Sequence, residues 1–179
     1  MRKWLVVIVI ILGILICSVL IFNANVEVEY VPESEIEDVD LRKTMVTLYF
    51  ENTENKELQK ESRLIDSKIL LNSPYEELIK MLIEGPASSF LHKNLPDSTK
   101  IIGTELKGDC LYINFSKEFV DNCSNEEQER MNIIYSVVNT VCELNEVNSV
   151  KFLIEGEENL VFIDKALDFT KEYKFEKQL

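Results

Sequence analysis

Few residues in this 179-residue chain could do covalent chemistry, and their spacing argues against it. The single histidine, His92, follows Phe90-Leu91. A catalytic imidazole needs a nucleophile to activate and an acid to orient it. The sequence offers no Gly-x-Ser-x-Gly run and no convincing cysteine nucleophile, so His92 reads as a surface or loop-packing residue. Cys110, Cys123 and Cys142 follow no zinc spacing, and three can form at most one bridge. They read as buried free thiols. The runs Glu126-Glu127-Gln128-Glu129 and Glu155 to Glu158 lack the alternating ligands and glycine of a calcium loop. They read as a solvated helix start and a hairpin turn, with Glu126 and Glu127 favoured by the positive end of their helix. Five glycines leave no P-loop or dinucleotide fingerprint. Acids outnumber bases 32 to 19, and a net charge of −13 repels nucleic acid. No catalytic, cofactor or metal residue is expected.

What remains is a question of placement. Met1-Arg2-Lys3 precedes 19 uncharged residues, Trp4 to Phe22. As a helix they span about 28 Å, the hydrocarbon thickness of a bilayer. Cations before the run and acids after it keep residues 1–3 in the cytoplasm and send the rest outside. Two other readings fit less well. Cleavage after Ala24 would put Phe22 where a small residue is wanted. Lipidation at Cys17 would put Ile16 in a small-residue position. Val26 to Asp40 carries seven acids and no base, so residues 23–43 are expected to form an extended, self-repelling linker.

Beyond the linker, strand and helix periods alternate. Thr44 to Phe50 places Val46, Leu48 and Phe50 on one face. Ser62 to Leu71 resumes extended character, with Ile65, Ile69 and Leu71 on one side. Ser73-Pro74, with Glu76 completing a capping box, opens a helix whose stripe is Tyr75, Leu78, Ile79, Leu82 and Ile83. Gly85-Pro86 stops it. Thr99 to Leu106 and Cys110 to Phe115 form a hairpin. A second helix starts at Ser124, again with a capping-box Glu127, and carries Met131, Ile134, Tyr135, Val138, Val141 and Cys142 inward. Val150 to Ile154 and Leu160 to Ile163 supply the last strands. The expected fold is α/β (α+β): a two-layer sandwich of one mixed five- to six-stranded sheet with both helices on one face, preceded by a transmembrane helix. It occupies residues 44–164, and 165–179 form a charged tail.

Several of these residues recur in an order that resembles a known family. They are Val46 to Phe50, Arg63, Glu76 to Gly85-Pro86, and Leu95 to Thr99 with Pro96. Ile113 to Phe119 with Asn114 and Ser116, Val138 to Thr140 with Asn139, and Val150 to Gly156 complete the set. The combination, from Met45 to Asp164, resembles the GerMN domain family of sporulation and spore-germination proteins. The resemblance implies a small domain related to the ring-building modules of sporulation channels. Such domains are tethered outside the membrane and hold other proteins in place without turning over a substrate. The implied partners are the membrane, other proteins of a sporulation membrane complex and further copies of the chain. Physically, Gly85, Pro86, Pro96, Thr99, Asn114, Ser116, Asn139 and Gly156 sit where helices or strands end and read as structural. Arg63 pairs either with a local carboxylate or with a partner protein.

The functional expectation is a membrane-anchored extracytoplasmic assembly module working by protein contact. A small-ligand or cell-wall-binding sensor is the alternative. A hydrolase acting on cell-wall material rests only on paired carboxylates that any acidic protein contains.

Overall fold

Val46, Leu48 and Phe50 are all buried while Met45, on the opposite face, is exposed. The alternation that marks the first strand therefore sets its inner side. In the computed structural model this strand, β1, runs Lys43–Asn52 and pairs antiparallel with β2, Leu58–Asp66. The structure describes residues 42–158, 160–162 and 167–176, together with Trp4. The chain divides into two units, Met1–Leu41 and Arg42–Leu179. Apart from Trp4, the expected anchor 4–22 and the linker up to Leu41 lie outside the described residues. Among the described residues no helix is long and apolar enough to cross a membrane.

The second strand starts and stops earlier than its sequence suggests. Asp66 ends it by accepting the Lys68 N–H at 2.9 Å, and Ser67–Leu70 turn into a 3-10 helix. Ile69 and Leu71, expected on the inner face, are exposed instead. Helix α1, Pro74–Glu84, buries Leu78, Ile79 and Leu82. Ser73 is its N-cap and Pro74 its first residue, but the serine makes no capping bond, so no capping box forms. Gly85 ends the helix at φ 101°, with its N–H bonded to Met81 O at 3.2 Å. That backbone is strained for any residue with a Cβ.

A two-residue strand β3, Leu91–His92, adds to the far side of β1. β4, Ile101–Lys107, and β5, Cys110–Phe115, form the expected hairpin. A short helix the sequence did not announce, α2 (Glu118–Asp121), follows. Its Phe119 stacks on Phe115 with ring centroids 4.3 Å apart and on Phe152 at 5.9 Å. Helix α3, Glu127–Val141, starts at an N-cap of Glu126, two residues after Ser124. Ser124 Oγ accepts the Glu126 N–H instead of closing a capping box. β6, Ser149–Ile154, runs parallel to β5, which the helical crossover between them permits. β7, Val161–Phe162, pairs with β8, Leu167–Asp168, and β9, Tyr173–Lys174, pairs with β6.

The architecture is thus α+β with several sheets, which corrects the single sheet of five to six strands. One sheet has the order β2-β1-β3, a second, mixed one is β4-β5-β6-β9, and β7-β8 forms a small ribbon. Among the described residues of the domain there are three α-helices where two were expected. α1 packs against β1 and β4, and α3 packs against β1 and β9, so each helix touches both larger sheets. Being enclosed this way, α3 buries Ile133, Ile134, Val137, Val138 and Val141 around most of its girth. The expected charged tail is also corrected. Leu167, Phe169 and Tyr173 lie in the core, with Phe169 5.4 Å from the Phe152 ring.

Candidate functional site

A polar groove of about 420 Å³ opens where four segments converge. β1 contributes Glu51, the β1–β2 turn Lys56, β3 and its following loop His92 to Asp97, and the start of α3 Glu129. The Glu51 side chain is only 4% exposed. Its carboxylate accepts from Lys56 Nζ at 2.9 Å and from Asn132 Nδ2 at 2.7 Å. A buried carboxylate is tolerated only with partners of this kind. Hydrogen bonding and attraction from Glu51 raise the Lys56 pKa, so the ammonium stays charged. Asn132 also donates to Lys56 O at 2.8 Å, which holds the lysine in its left-handed conformation, φ 62°. Asn94 Oδ1 accepts the Glu51 N–H at 3.0 Å. Chemically the groove offers fixed charges of both signs and amides, suited to holding a polar group. His92 is exposed on its rim.

The family-pattern residues lie elsewhere, at joints. Arg63 donates from Nε to Glu61 at 2.7 Å and from Nη2 to Gly85 O at 2.5 Å, with the guanidinium 5.5 Å from the Phe50 ring. Glu61 in turn accepts the Ala87 and Ser88 N–H groups, each at 3.0 Å. Arg63 and Glu61 therefore clamp the turn Gly85-Pro86 onto β2. Pro96 O accepts the Thr99 N–H. Thr99 is buried, and its hydroxyl has no hydrogen-bond partner among the described residues. Asn114 Oδ1 accepts the Gly156 N–H at 2.9 Å, where Gly156 takes φ 83° in the turn after β6. Ser116 accepts the Lys100 N–H on Oγ and returns its own N–H to Lys100 O, extending the β4–β5 pairing by one step. Asn139 donates to Glu176 O at 2.9 Å and accepts the Glu176 N–H at 3.0 Å, like one rung of a sheet.

Sequence reasoning missed a stripe on α3. Asn132, Ser136 and Thr140 are buried at four-residue intervals. Ser136 donates to Tyr49 O at 2.6 Å, and Thr140 Oγ1 accepts the Tyr49 N–H at 3.1 Å. β1 is paired by β3 only at Glu51 and Asn52. The two helix hydroxyls satisfy the Tyr49 backbone on that edge. The signal was available: three short polar residues at i, i+4 and i+8 amid apolar neighbours. Cys110, Cys123 and Cys142 are free, and burial pushes the Cys142 thiol up to about 11.

Two carboxylates make the fold sensitive to acid. Burial acts to raise the pKa of Glu61, but the Ser88 and Ala87 N–H groups and Arg63 together outweigh it, so the net shift is downward. Glu143 shows the same balance, with burial opposed by Tyr49 and Lys60. Groups with lowered folded pKa values stabilise fully above their ordinary value of 4.5 and lose that contribution as pH falls through the folded values. Near-UV circular dichroism during acid titration should therefore show unfolding that begins below that value. The slope of stability against pH should be shallower in Glu61→Gln. An unchanged slope would remove Glu61 from the account.

The Germane family profile, described as "Sporulation and spore germination", matches residues 47–160. Three solved structures share the fold. A protein described as a lipoprotein from Clostridium perfringens is 22% identical with a TM-score of 0.51, covering 75% of this chain and 89% of its own. The tandem GerMN domains of the sporulation protein GerM from Bacillus subtilis are 18% identical with a TM-score of 0.59. That alignment covers 76% of this chain and 47% of GerM's, so this chain spans less than half of the tandem pair. The first GerMN domain alone is 21% identical with a TM-score of 0.55, over 64% of this chain and 85% of that domain. No curated protein matches the chain. The profile runs from the middle of β1 to the residue before β7, taking in the Arg63 clamp and the joints at Gly85, Asn114 and Asn139, and on that match the chain belongs to the Germane family of sporulation and spore germination.

Proposed function

We propose that the chain is a membrane-anchored, extracytoplasmic assembly module of the sporulation or germination machinery, acting through protein contact. One observation carries the reading. Within the family pattern, four polar side chains are spent on joints within the fold: Arg63 on Gly85, Asn114 on Gly156, Ser116 on Lys100, Asn139 on Glu176. A pattern that specifies shape suits a scaffold better than an enzyme, whose shared residues would converge on reacting atoms. Trp4 to Phe22 supplies the anchor and Arg2-Lys3 the orientation, with the N-terminus in the cytoplasm.

Sporulating cells treated with a membrane-impermeant crosslinker should yield adducts between this chain and other membrane-complex proteins. His92→Ala should leave both the adducts and the spore yield unchanged, since no proton transfer depends on the imidazole. A folded, correctly placed His92→Ala chain that blocks sporulation would overturn the non-enzymatic reading. A second reading, a sensor for a small or cell-wall-derived ligand, draws on the groove around Glu51 and Lys56. It predicts that Lys56→Ala weakens binding of cell-wall fragments without altering the adducts.

A further inference from the structure

Two features of the polar groove cost the fold stability. The Glu51 side chain is 4% exposed, and a buried charge is costly even when it is paired. Lys56, which pairs with it, stands at φ 62°, an uncommon conformation for a lysine. Backbone strain and a buried charge kept at one place mark a site held for more than packing. The groups that line the groove also keep unused capacity. Lys56 Nζ spends one of its three N–H groups on Glu51, and its side chain is 55% exposed. Asn94 Oδ1 accepts the Glu51 N–H, while its Nδ2 has no hydrogen-bond partner among the described residues. Ser124 Oγ accepts the Glu126 N–H and keeps its own O–H to donate. Glu129, half-buried at the start of α3, has no hydrogen bond or ion pair among the described residues. Its charge nevertheless acts on Lys56.

We infer that the groove binds an α-amino-acid head group, a carboxylate and an ammonium on one carbon. The spare N–H groups of Lys56 and Asn94, with the Ser124 hydroxyl, suit the carboxylate, and the unpaired Glu129 suits the ammonium. Other ligand classes fit less well. A polyanion meets Glu51 and Glu129 in a chain of net charge −13. A lone cation meets the Lys56 ammonium, and among the described residues no group of three His, Cys, Asp or Glu could hold a metal. A zwitterion answers both signs at once. A volume of about 420 Å³ lies near the lower end for small-molecule sites, which suits this head group with a short side chain better than a whole peptide or glycan. Two sources carry such a head: a free amino acid, and the side-chain end of a diamino acid in a cell-wall stem peptide. The assignment rests on the second reading above, in which the groove is a ligand site.

The test titrates the full chain in detergent with valine, N-acetylvaline and valinamide, read by saturation-transfer NMR of the valine methyl groups. Acetylation removes the ammonium and amidation the carboxylate. Each should weaken binding about tenfold, the worth of one charge-assisted contact in an open groove. Glu129→Gln should bind valine as weakly as the parent binds N-acetylvaline and should no longer distinguish the two. Its thermal melt should match the parent's, because Glu129 bonds nothing within the fold. Glu84→Gln, on α1 and outside the groove, should leave all three affinities unchanged. A stem tripeptide ending in diaminopimelate separates the sources. Binding at least about tenfold tighter than valine assigns the head group to the cell wall, and equal or weaker binding assigns it to a free amino acid. The inference is overturned if both blocked ligands bind as well as valine, or if Glu129→Gln keeps the preference for valine. Cell-wall fragments that bind the groove while valine and the tripeptide do not would overturn it and leave the sensor reading standing. Absence of transfer to every one of these ligands would remove both.

Discussion

Val138→Asp is expected to abolish cooperative unfolding of the domain. Val138 is fully buried on α3, the helix that touches both larger sheets. An unpaired carboxylate there costs several kcal/mol, against a total stability of about 5–15 kcal/mol for a domain of this kind. The measurement is a thermal melt followed by near-UV circular dichroism, with Val138→Ala as the milder companion. That companion removes two methyl groups and should cost about 1–3 kcal/mol, leaving a cooperative but earlier transition. A melt of Val138→Asp superimposable on the parent's would mean that α3 does not present this face to the core.

The second large effect is expected at Arg63→Glu. The arginine bonds Glu61 and Gly85 O and lies over Phe50, and Glu61 depends on it while also holding the Ala87 and Ser88 N–H groups. Reversal leaves two carboxylates facing each other at the end of α1 and an unsatisfied carbonyl at Gly85. Losing such a charge-assisted pair costs about 3–5 kcal/mol. Arg63→Lys keeps the charge but not the planar fork that reaches Glu61 and Gly85 together, so it should fall between. Denaturant midpoints order the three proteins. If Arg63→Glu unfolds at the parent's midpoint yet fails to reach its site in cells, Arg63 is a partner contact and the clamp contributes nothing measurable.

How far the sequence could be read depended on whether a feature was local. Both long helices and the β4–β5 hairpin were legible because periodicity and Gly85-Pro86 act over a few residues. The caps were misread. Serine with glutamate three residues on permits a capping box, but Ser124 is taken by the Glu126 N–H and Ser73 makes no bond at all. The division into several sheets was not legible, because β3, β7, β8 and β9 are two residues each and their pairing is set by what they pack on. Leu167, Phe169 and Tyr173 carry no period among charged neighbours, so their burial shows only in three dimensions. Gly85 and Gly156 were legible as turn residues, because a left-handed backbone favours glycine, whereas Asn114 entered only through the family pattern. The groove was not foreseen. Glu51 was one acid among 32, and its burial depends on Asn132, 81 residues away.

The central claim, that a tethered domain works by holding other proteins, is tested most directly by separating the domain from its tether. A strain lacking the chain would receive either the full-length protein or the same domain secreted without residues 1–22. Heat-resistant spores are counted after matched expression. Tethering raises local concentration by about 10²- to 10⁴-fold for weak contacts, so the full chain should restore spores and the free domain should fall short by at least a factor of about 100. Full rescue by the freely secreted domain, at no more than the parent's abundance, would contradict the account.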